Sequence, residues 1–254
     1  MIKFISKNIK PLLPSFIFEP LRRILTAILT PVFFSIDSGH FKSSIRALAC
    51  DSSSKPICWF TYPAIDFLDR FNFKNLFILE FGSGQSTLWW QNKGAKIISF
   101  ENNEGWFNKI SQNISQNNSV NLIKNDMLNN QQLDLIKKTN QHDVLIIDGS
   151  YNRFDALSLA IPYLSEKAIV ILDNSEGYYT GSGQDKYGYF PMLKLMKSEN
   201  FNRVDFFGYA PGVILPHCTS IFFKNTSFIF HQENLPKISK HSLYYKDREL
   251  KNLI

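Results

Sequence analysis

Acids stand where several apolar runs of this sequence end, and that pattern is the one most able to do chemistry. The run 76–79 closes in Glu80-Phe81-Gly82-Ser83-Gly84. Two glycines beside an acid let the backbone approach a ligand with no Cβ in the way, and the residues from Ser86 onward can present free N–H groups at a helix start. A second run, 96–100, ends in Glu101, 17 residues after Gly84. At that distance a nucleotide-binding fold places an acid for two ribose hydroxyls. Asp126 follows a third run, with Met127 beside it. Asp148-Gly149 and Asp173-Asn174 close two more runs 25 residues apart. If those runs are neighbouring strands, three hard oxygen donors meet on one rim. His217 opens the last apolar run and is the titratable group best placed to move a proton beside them.

Elements that would position these residues alternate along the chain. Strands are expected at 76–81, 96–100, 120–123, 143–148, 168–173, 203–209 and 218–224, and helices at 86–93, 104–116, 131–139, 153–164 and 191–199. Five strand–helix alternations predict an α/β fold, a doubly wound, Rossmann-like sheet that is mostly parallel. The segment 210–217 is too short for a crossover helix, so the last two strands should pair antiparallel near the C-terminal edge. In such a sheet ligands bind at the carboxyl ends of the parallel strands, where the acids sit, and an antiparallel last strand begins on that same rim at His217.

The departures from known nucleotide motifs select the ligand. A dinucleotide fingerprint calls for a third glycine at 87, where this chain has Thr87, and the Gly-Lys-Ser/Thr of a P-loop is absent. Glu80 in the turn opposes a pyrophosphate and suits a ligand carrying an ammonium and a sulfonium. On these residues the chain resembles the class I S-adenosylmethionine-dependent methyltransferases over roughly 60–224, with Ser86 where that family often has a third glycine. The resemblance implies a seven-stranded sheet with one reversed strand and S-adenosylmethionine as cofactor. It also implies that Glu80, Gly82, Ser83, Gly84, Ser86, Glu101, Asp126, Met127 and Asp148 hold that cofactor, with Asp126 at the adenine amino group and Met127 on the ring.

Asp148, Asp173 and Asn174 are similar to the magnesium site of the metal-dependent O-methyltransferases, in which a bound cation lowers the pKa of the acceptor hydroxyl. In the other reading, Asp148 orients the methionine end of the cofactor and Asp173-Asn174 begins a loop. Both stand. The catechol-type lysine base has no counterpart in Ser150-Tyr151-Asn152-Arg153. The expected catalytic groups are therefore Asp148 and His217, with His40 a second candidate base and His142 on the opposite rim. The segment 59–64, Trp59-Phe60-Thr61-Tyr62-Pro63-Ala64, is expected near the cofactor, and the Gly- and Tyr-rich segment 177–189 reads as a lid. No Asn-Pro-Pro-Tyr follows the fourth strand, so the implied acceptor is a hydroxyl of a small molecule or glycan. The alternatives are a non-catalytic membrane-surface scaffold and a nicotinamide-dependent oxidoreductase.

With 254 residues, 44% of them hydrophobic, the chain can bury one sizeable core. The reading is an N-terminal extension at 1–58, a catalytic domain at 59–225 and a polar tail at 226–254. Three cysteines without metal-ligand spacing point to a reducing, cytoplasmic setting. The net charge of +6 includes no block of like charges, so nucleic acid is not an expected partner. Residues 1–36 combine Lys3, Lys7, Lys10, Arg22 and Arg23 with apolar runs, one of which, 24–34, is 11 residues long and is expected to be broken by Pro31. About 20 apolar residues are needed to span a bilayer. That leaves a covering helix, a dimer interface, or a segment lying on a membrane surface.

Overall fold

The computed structural model describes residues 14–124, 127–139, 141–149, 152–178 and 189–232. Helices α1 (Ser15–Asp37), α2 (His40–Arg46) and α3 (Tyr62–Leu68) come first. They are followed by β1 (Phe77–Phe81), α4 (Gln85–Asn92), β2 (Lys96–Glu101), α5 (Glu104–Ser111), β3 (Ser119–Leu122), α6 (Asn130–Thr139), β4 (His142–Ile147), α7 (Arg153–Ala160), β5 (Leu164–Leu172) and α8 (Tyr189–Ser198). The hairpin β6 (Asn202–Tyr209) and β7 (Pro216–Phe223) completes a seven-stranded sheet of order β3-β2-β1-β4-β5-β7-β6. Strand β7 runs antiparallel to both β5 and β6, and the other pairings are parallel. This is the doubly wound sheet that the alternation predicts, with its one reversed strand next to the edge.

Apolar side chains point both ways from the central strands. Ile78, Val144, Ile146, Ile169 and Ile171 pack with Phe60, Leu68, Phe73 and Trp90 on one face. Leu79, Leu145, Ile147, Val170 and Leu172 pack with Ile136, Leu157, Met192 and Met196 on the other. A strand buried on both faces reads as a continuous apolar run rather than an alternating one, which is why these strands stood out in the sequence.

The chain steps from β1 outward to β2 and β3, then returns to place β4 on the other side of β1. The sheet order therefore reverses between β1 and β4, and their carboxyl ends are pressed together. Asp148 N–H donates to Phe81 O at 2.8 Å, and Gly82 N–H donates to Phe100 O at 2.8 Å. Gly82 has φ +104°, and a Cβ on it would lie 2.7 Å from the Asp148 carbonyl carbon. Gly149, at φ +69°, faces it so closely that a Cβ there would lie 3.0 Å from the Gly82 Cα.

Some boundaries differ from the sequence reading. Pro31 does not break α1, because the carbonyl it leaves unbonded, that of Ala27, belongs to an exposed turn that water can satisfy. Helix α5 stops at Ser111, where the Asn113 side-chain amide donates to Lys109 O at 2.9 Å and ends the ladder. The segment read as a tail from Thr226 begins inside the fold. Phe228 and Ile229 are buried, Phe228 meets the ring of Phe73 at 5.7 Å between centroids, and Gln232 accepts from Asn72 N–H. Ala49, Ile57 and Cys58, assigned to the extension, belong to the same core. Among the described residues no single helix is long and apolar enough to cross a membrane.

The β1–β4 contact yields a prediction about stability. Gly82→Ala should destabilise the protein by on the order of 3 kcal/mol in urea denaturation, from a strained φ together with a backbone clash. Wild-type stability in that variant would mean the two strand ends are not held together as described.

Candidate functional site

The turn after β1 is held from beneath by Glu80. This acid is fully buried, and its carboxylate accepts hydrogen bonds from the hydroxyls of Ser86 (2.6 Å), Thr87 and Ser99 (2.8 Å). Thr87 Oγ1 also accepts from Gly84 N–H at 3.0 Å, so the residue standing in place of a third glycine stitches the turn to the start of α4. Burial raises the Glu80 pKa to about 7, the three hydroxyls oppose the shift, and the charge of Asp148 adds to it. Its structural role is therefore to shape the turn, through the hydroxyls of Ser86, Thr87 and Ser99.

Gly84 differs from Gly82. Its φ of −173° is ordinary extended backbone, and a Cβ there would meet only Ser86 Oγ at 4.0 Å. Nothing among the described residues requires a glycine at 84, and the space beside it is open. Glu101 closes β2 beside this turn. Its two oxygens accept from Asn103 N–H at 2.7 Å and Ser83 Oγ at 3.3 Å, and burial raises its pKa. Gly82, Ser83, Gly84, Ser86, Glu101 and Asp148 thus gather around the point where the sheet order reverses. Met127, beyond the end of β3, is exposed and forms an isolated bridge with Lys124. Asp126 and most of the segment read as a lid, 179–188, lie outside the described residues.

Across the rim, the ends of β4, β5 and β7 form a second group. Asp148 and Asp173 both have raised pKa values, first from burial, and the charge of Asp148 raises Asp173 further. Asp173 accepts from Thr219 Oγ1 at 2.6 Å. Arg153, at the start of α7, stands between the two strand ends. Its guanidinium donates to the Asp173 carbonyl and, at 3.1 Å, to Tyr189 Oη, and it lies 4.0 Å from Asp148 Oδ1. Asn174, at φ +49°, accepts from Tyr189 Oη through its carbonyl at 2.7 Å, and its amide nitrogen is 3.4 Å from His217 Nδ1.

His217 Nδ1 lies 2.8 Å from Glu176 Oε1, while Glu176 Oε2 accepts from Cys218 N–H at 2.8 Å. A carboxylate on Nδ1 calls for the tautomer that carries its proton there, which leaves Nε2 as the acceptor. Nε2 is buried and has no partner among the described residues. The two other histidines weighed from the sequence do other work. His40 Nδ1 accepts from Gly212 N–H at 3.3 Å and so ties α2 to the 210–215 loop, and His142 is buried at the start of β4, on the far rim. Thr61 is also committed: its hydroxyl donates to Phe206 O at 2.9 Å and its N–H to Thr219 Oγ1 at 3.0 Å.

Sequence reasoning gave no role to Arg153, Glu176, Thr219 or Ser99. Arg153 and Glu176 had a usable signal, since each lies within five residues of a strand-ending acid. Ser99 and Thr219 had none, because they find their acids only through strand pairing.

Solved structures that share this architecture were found by shape. An O-methyltransferase from Bacillus cereus in complex with S-adenosylhomocysteine aligns over 80% of this chain and 96% of its own, with a TM-score of 0.51 and 15% identity. The O-methyltransferase TomG from Streptomyces achromogenes, involved in tomaymycin synthesis and crystallised with S-adenosylmethionine, aligns over 74% and 87%, with a TM-score of 0.51 and 12% identity. The chain has the class I methyltransferase fold. A cofactor-bound protein from MTB aligns over 78% of this chain and 96% of its own, with a TM-score of 0.54 and 14% identity. No protein-family model and no curated protein matches the sequence. At these identities the likeness is one of fold, and what this methyltransferase fold binds must be argued from its own residues.

Glu80 makes one property of the site measurable without any ligand. Unfolded glutamate releases its proton near ~4.3, whereas Glu80 in the folded state holds it to about 7. The group therefore contributes stability that is fully present below its unfolded pKa and is lost as pH rises through the folded one. Glu80→Gln, which cannot titrate, should show a visibly flatter decline of stability over that window in urea denaturation. A slope equal to wild type would place the pH dependence on other acids.

Proposed function

We propose that the protein transfers a methyl group from S-adenosylmethionine to a hydroxyl of a small molecule or glycan. The observation that carries this reading is the open turn at Gly84 facing Glu101, set where the sheet order reverses, which is where open α/β sheets bind their ligands. In this reading Glu101 accepts from the two ribose hydroxyls, the Gly82–Gly84 backbone lies against the cofactor, and Asp148 faces its methionine end. Asp126 and Met127 are proposed for the adenine. When bound, the sulfonium supplies a methyl group that is already activated. The chain's own task is to orient the acceptor, exclude water and take one proton.

His217 is proposed to take that proton at Nε2, with Glu176 holding the ring through Nδ1. Arg153 supplies a fixed positive charge beside Asp148 and Asp173. A second reading places a divalent cation on Asp148, Asp173 and Asn174. It is favoured by the placement of two buried carboxylates at adjacent strand ends, where the charge of Asp148 raises the Asp173 pKa, a cost that a cation would relieve. The donor types fit such an ion, which would acidify the acceptor hydroxyl; Arg153 competes with it for the same charge. A nicotinamide cofactor is disfavoured by Thr87 at the helix start, where its fingerprint needs glycine, and by the acid Glu80 beneath the turn.

Titration calorimetry with S-adenosylmethionine tests the main reading and separates it from a non-catalytic scaffold. Glu101→Gln should weaken binding by on the order of 2 kcal/mol, about 30-fold, through the loss of charge-assisted hydrogen bonds. Gly84→Val should abolish binding while leaving the melting temperature within about 2 °C of wild type, because its side chain meets ligand space and not protein. Wild-type affinity in both variants would sink the assignment. For the cation, manganese titration should show binding that disappears in Asp173→Ala if the second reading is right; no binding to the wild type leaves Arg153 as the resident charge.

A further inference from the structure

We infer that α1, α2 and the 210–215 loop form a face that docks on an anionic phospholipid bilayer. Helix α1 is 23 residues long, and Phe18 is its only buried residue. Ile17, Leu21, Ile24, Ile28, Val32 and Ile36 recur at helical spacing along one side and are all exposed, Ile24 at 57% and Ile28 at 58%. An apolar stripe of this length left open to water is a surface awaiting a partner. The stripe continues beyond α1. Phe41 and Ile45 are exposed on α2, and Ile214 is 86% exposed at the tip of the loop. Loop and helix are joined, since Gly212 N–H donates to His40 Nδ1 and a Cβ on Gly212 would lie 2.7 Å from Ser44 N. The same loop leads into His217, so this face adjoins the rim of the candidate site.

Charge selects the partner. The described helices α1 and α2 carry Arg22, Arg23, Lys42 and Arg46 against Glu19 and Asp37, and Lys3, Lys7 and Lys10 precede them in the sequence, outside the described residues. One of the two acids, Glu19, is already paired with Arg22 at 2.8 Å. A second copy of this chain seated on the stripe in a two-fold arrangement would set that charge against itself. An anionic bilayer meets both demands at once, taking up the apolar side chains while attracting the basic ones. No single described helix is long and apolar enough to cross; α1 and α2 reach that length and composition only together, across a 60° bend. The one-sided exposed stripe places α1 in the plane of the interface.

The test is co-sedimentation of the full chain with phosphatidylcholine vesicles made with and without phosphatidylglycerol. It reads neither cofactor nor turnover, so its outcome is independent of the methyl-transfer reading. The full chain should pellet with the anionic vesicles, and raising salt from about 0.05 to about 0.5 M should release most of it. Ile24→Asp with Ile28→Asp should reduce binding at least about tenfold, and so should Arg23→Glu with Arg46→Glu. All four positions are exposed, so each double variant should keep the wild-type melting temperature. If the aspartate pair fails to fold, the charge-reversal pair decides. The inference is overturned if the chain stays in the supernatant with both vesicle types or pellets with both equally. It is also overturned if sedimentation velocity shows a dimer that the aspartate pair dissolves while vesicle binding is absent.

Discussion

The candidate site depends on one contact: the ends of β1 and β4 meet backbone to backbone, with no side chain between them. Gly82 and Gly149 make this possible, each at positive φ and each within Cβ-clashing distance of the other's chain. Two parallel strands can approach in this way only at the reversal of the sheet order, because there each strand's following helix leaves for the opposite face. The approach sets the span between the turn at Gly84 and the acid at Asp148. It also sets where the rim can open.

The turn itself is held by hydrogen bonds rather than by packing. A carboxylate in the first strand would be an expensive thing to bury alone, yet Glu80 has three hydroxyl neighbours, two from α4 and one from β2. Through them strand, turn and helix become one unit, and the Gly84 N–H is drawn in by the same Thr87 that serves Glu80. This explains why Thr87 can stand where a dinucleotide site needs glycine: the position closes a polar network instead of a tight helix–strand contact.

Much of this was legible in the sequence because it is local. The apolar runs, the glycines after Glu80, the spacing to Glu101 and the reversed last strand each depend on residues close in the chain, and the structure places Glu101, Asp148, Asp173 and His217 on one rim as those patterns imply. What escaped depends on pairing at a distance. Thr219 reaches Asp173, and Ser99 reaches Glu80, only because β7 lies beside β5 and β2 beside β1. Phe228 was hidden for the same reason: in a polar stretch of sequence it reads as tail, yet its ring packs on Phe71 and Phe73, more than 150 residues earlier. Pro31 misled in the opposite sense, since the helix continues through it where the carbonyl it frees, that of Ala27, lies in an exposed turn.

The two halves of the rim handle buried acid differently, and the difference bears on how each responds to protons. Around Glu80 every partner is a hydroxyl, which can turn from donor to acceptor, so the network survives whether the carboxyl is charged or neutral. Around Asp148 and Asp173 the partner is Arg153, which cannot give up its proton and whose position is set by the Asp173 carbonyl and Tyr189. Protonating Glu80 therefore relieves a buried charge, whereas protonating both aspartates would leave a guanidinium, only 11% exposed, without a counter-charge. The β1–β2 half can change protonation near neutral pH and keep its shape. The β4–β5 half needs a carboxylate to remain ionised, and it is against that retained negative charge that an acceptor's proton, or a cation, must be weighed.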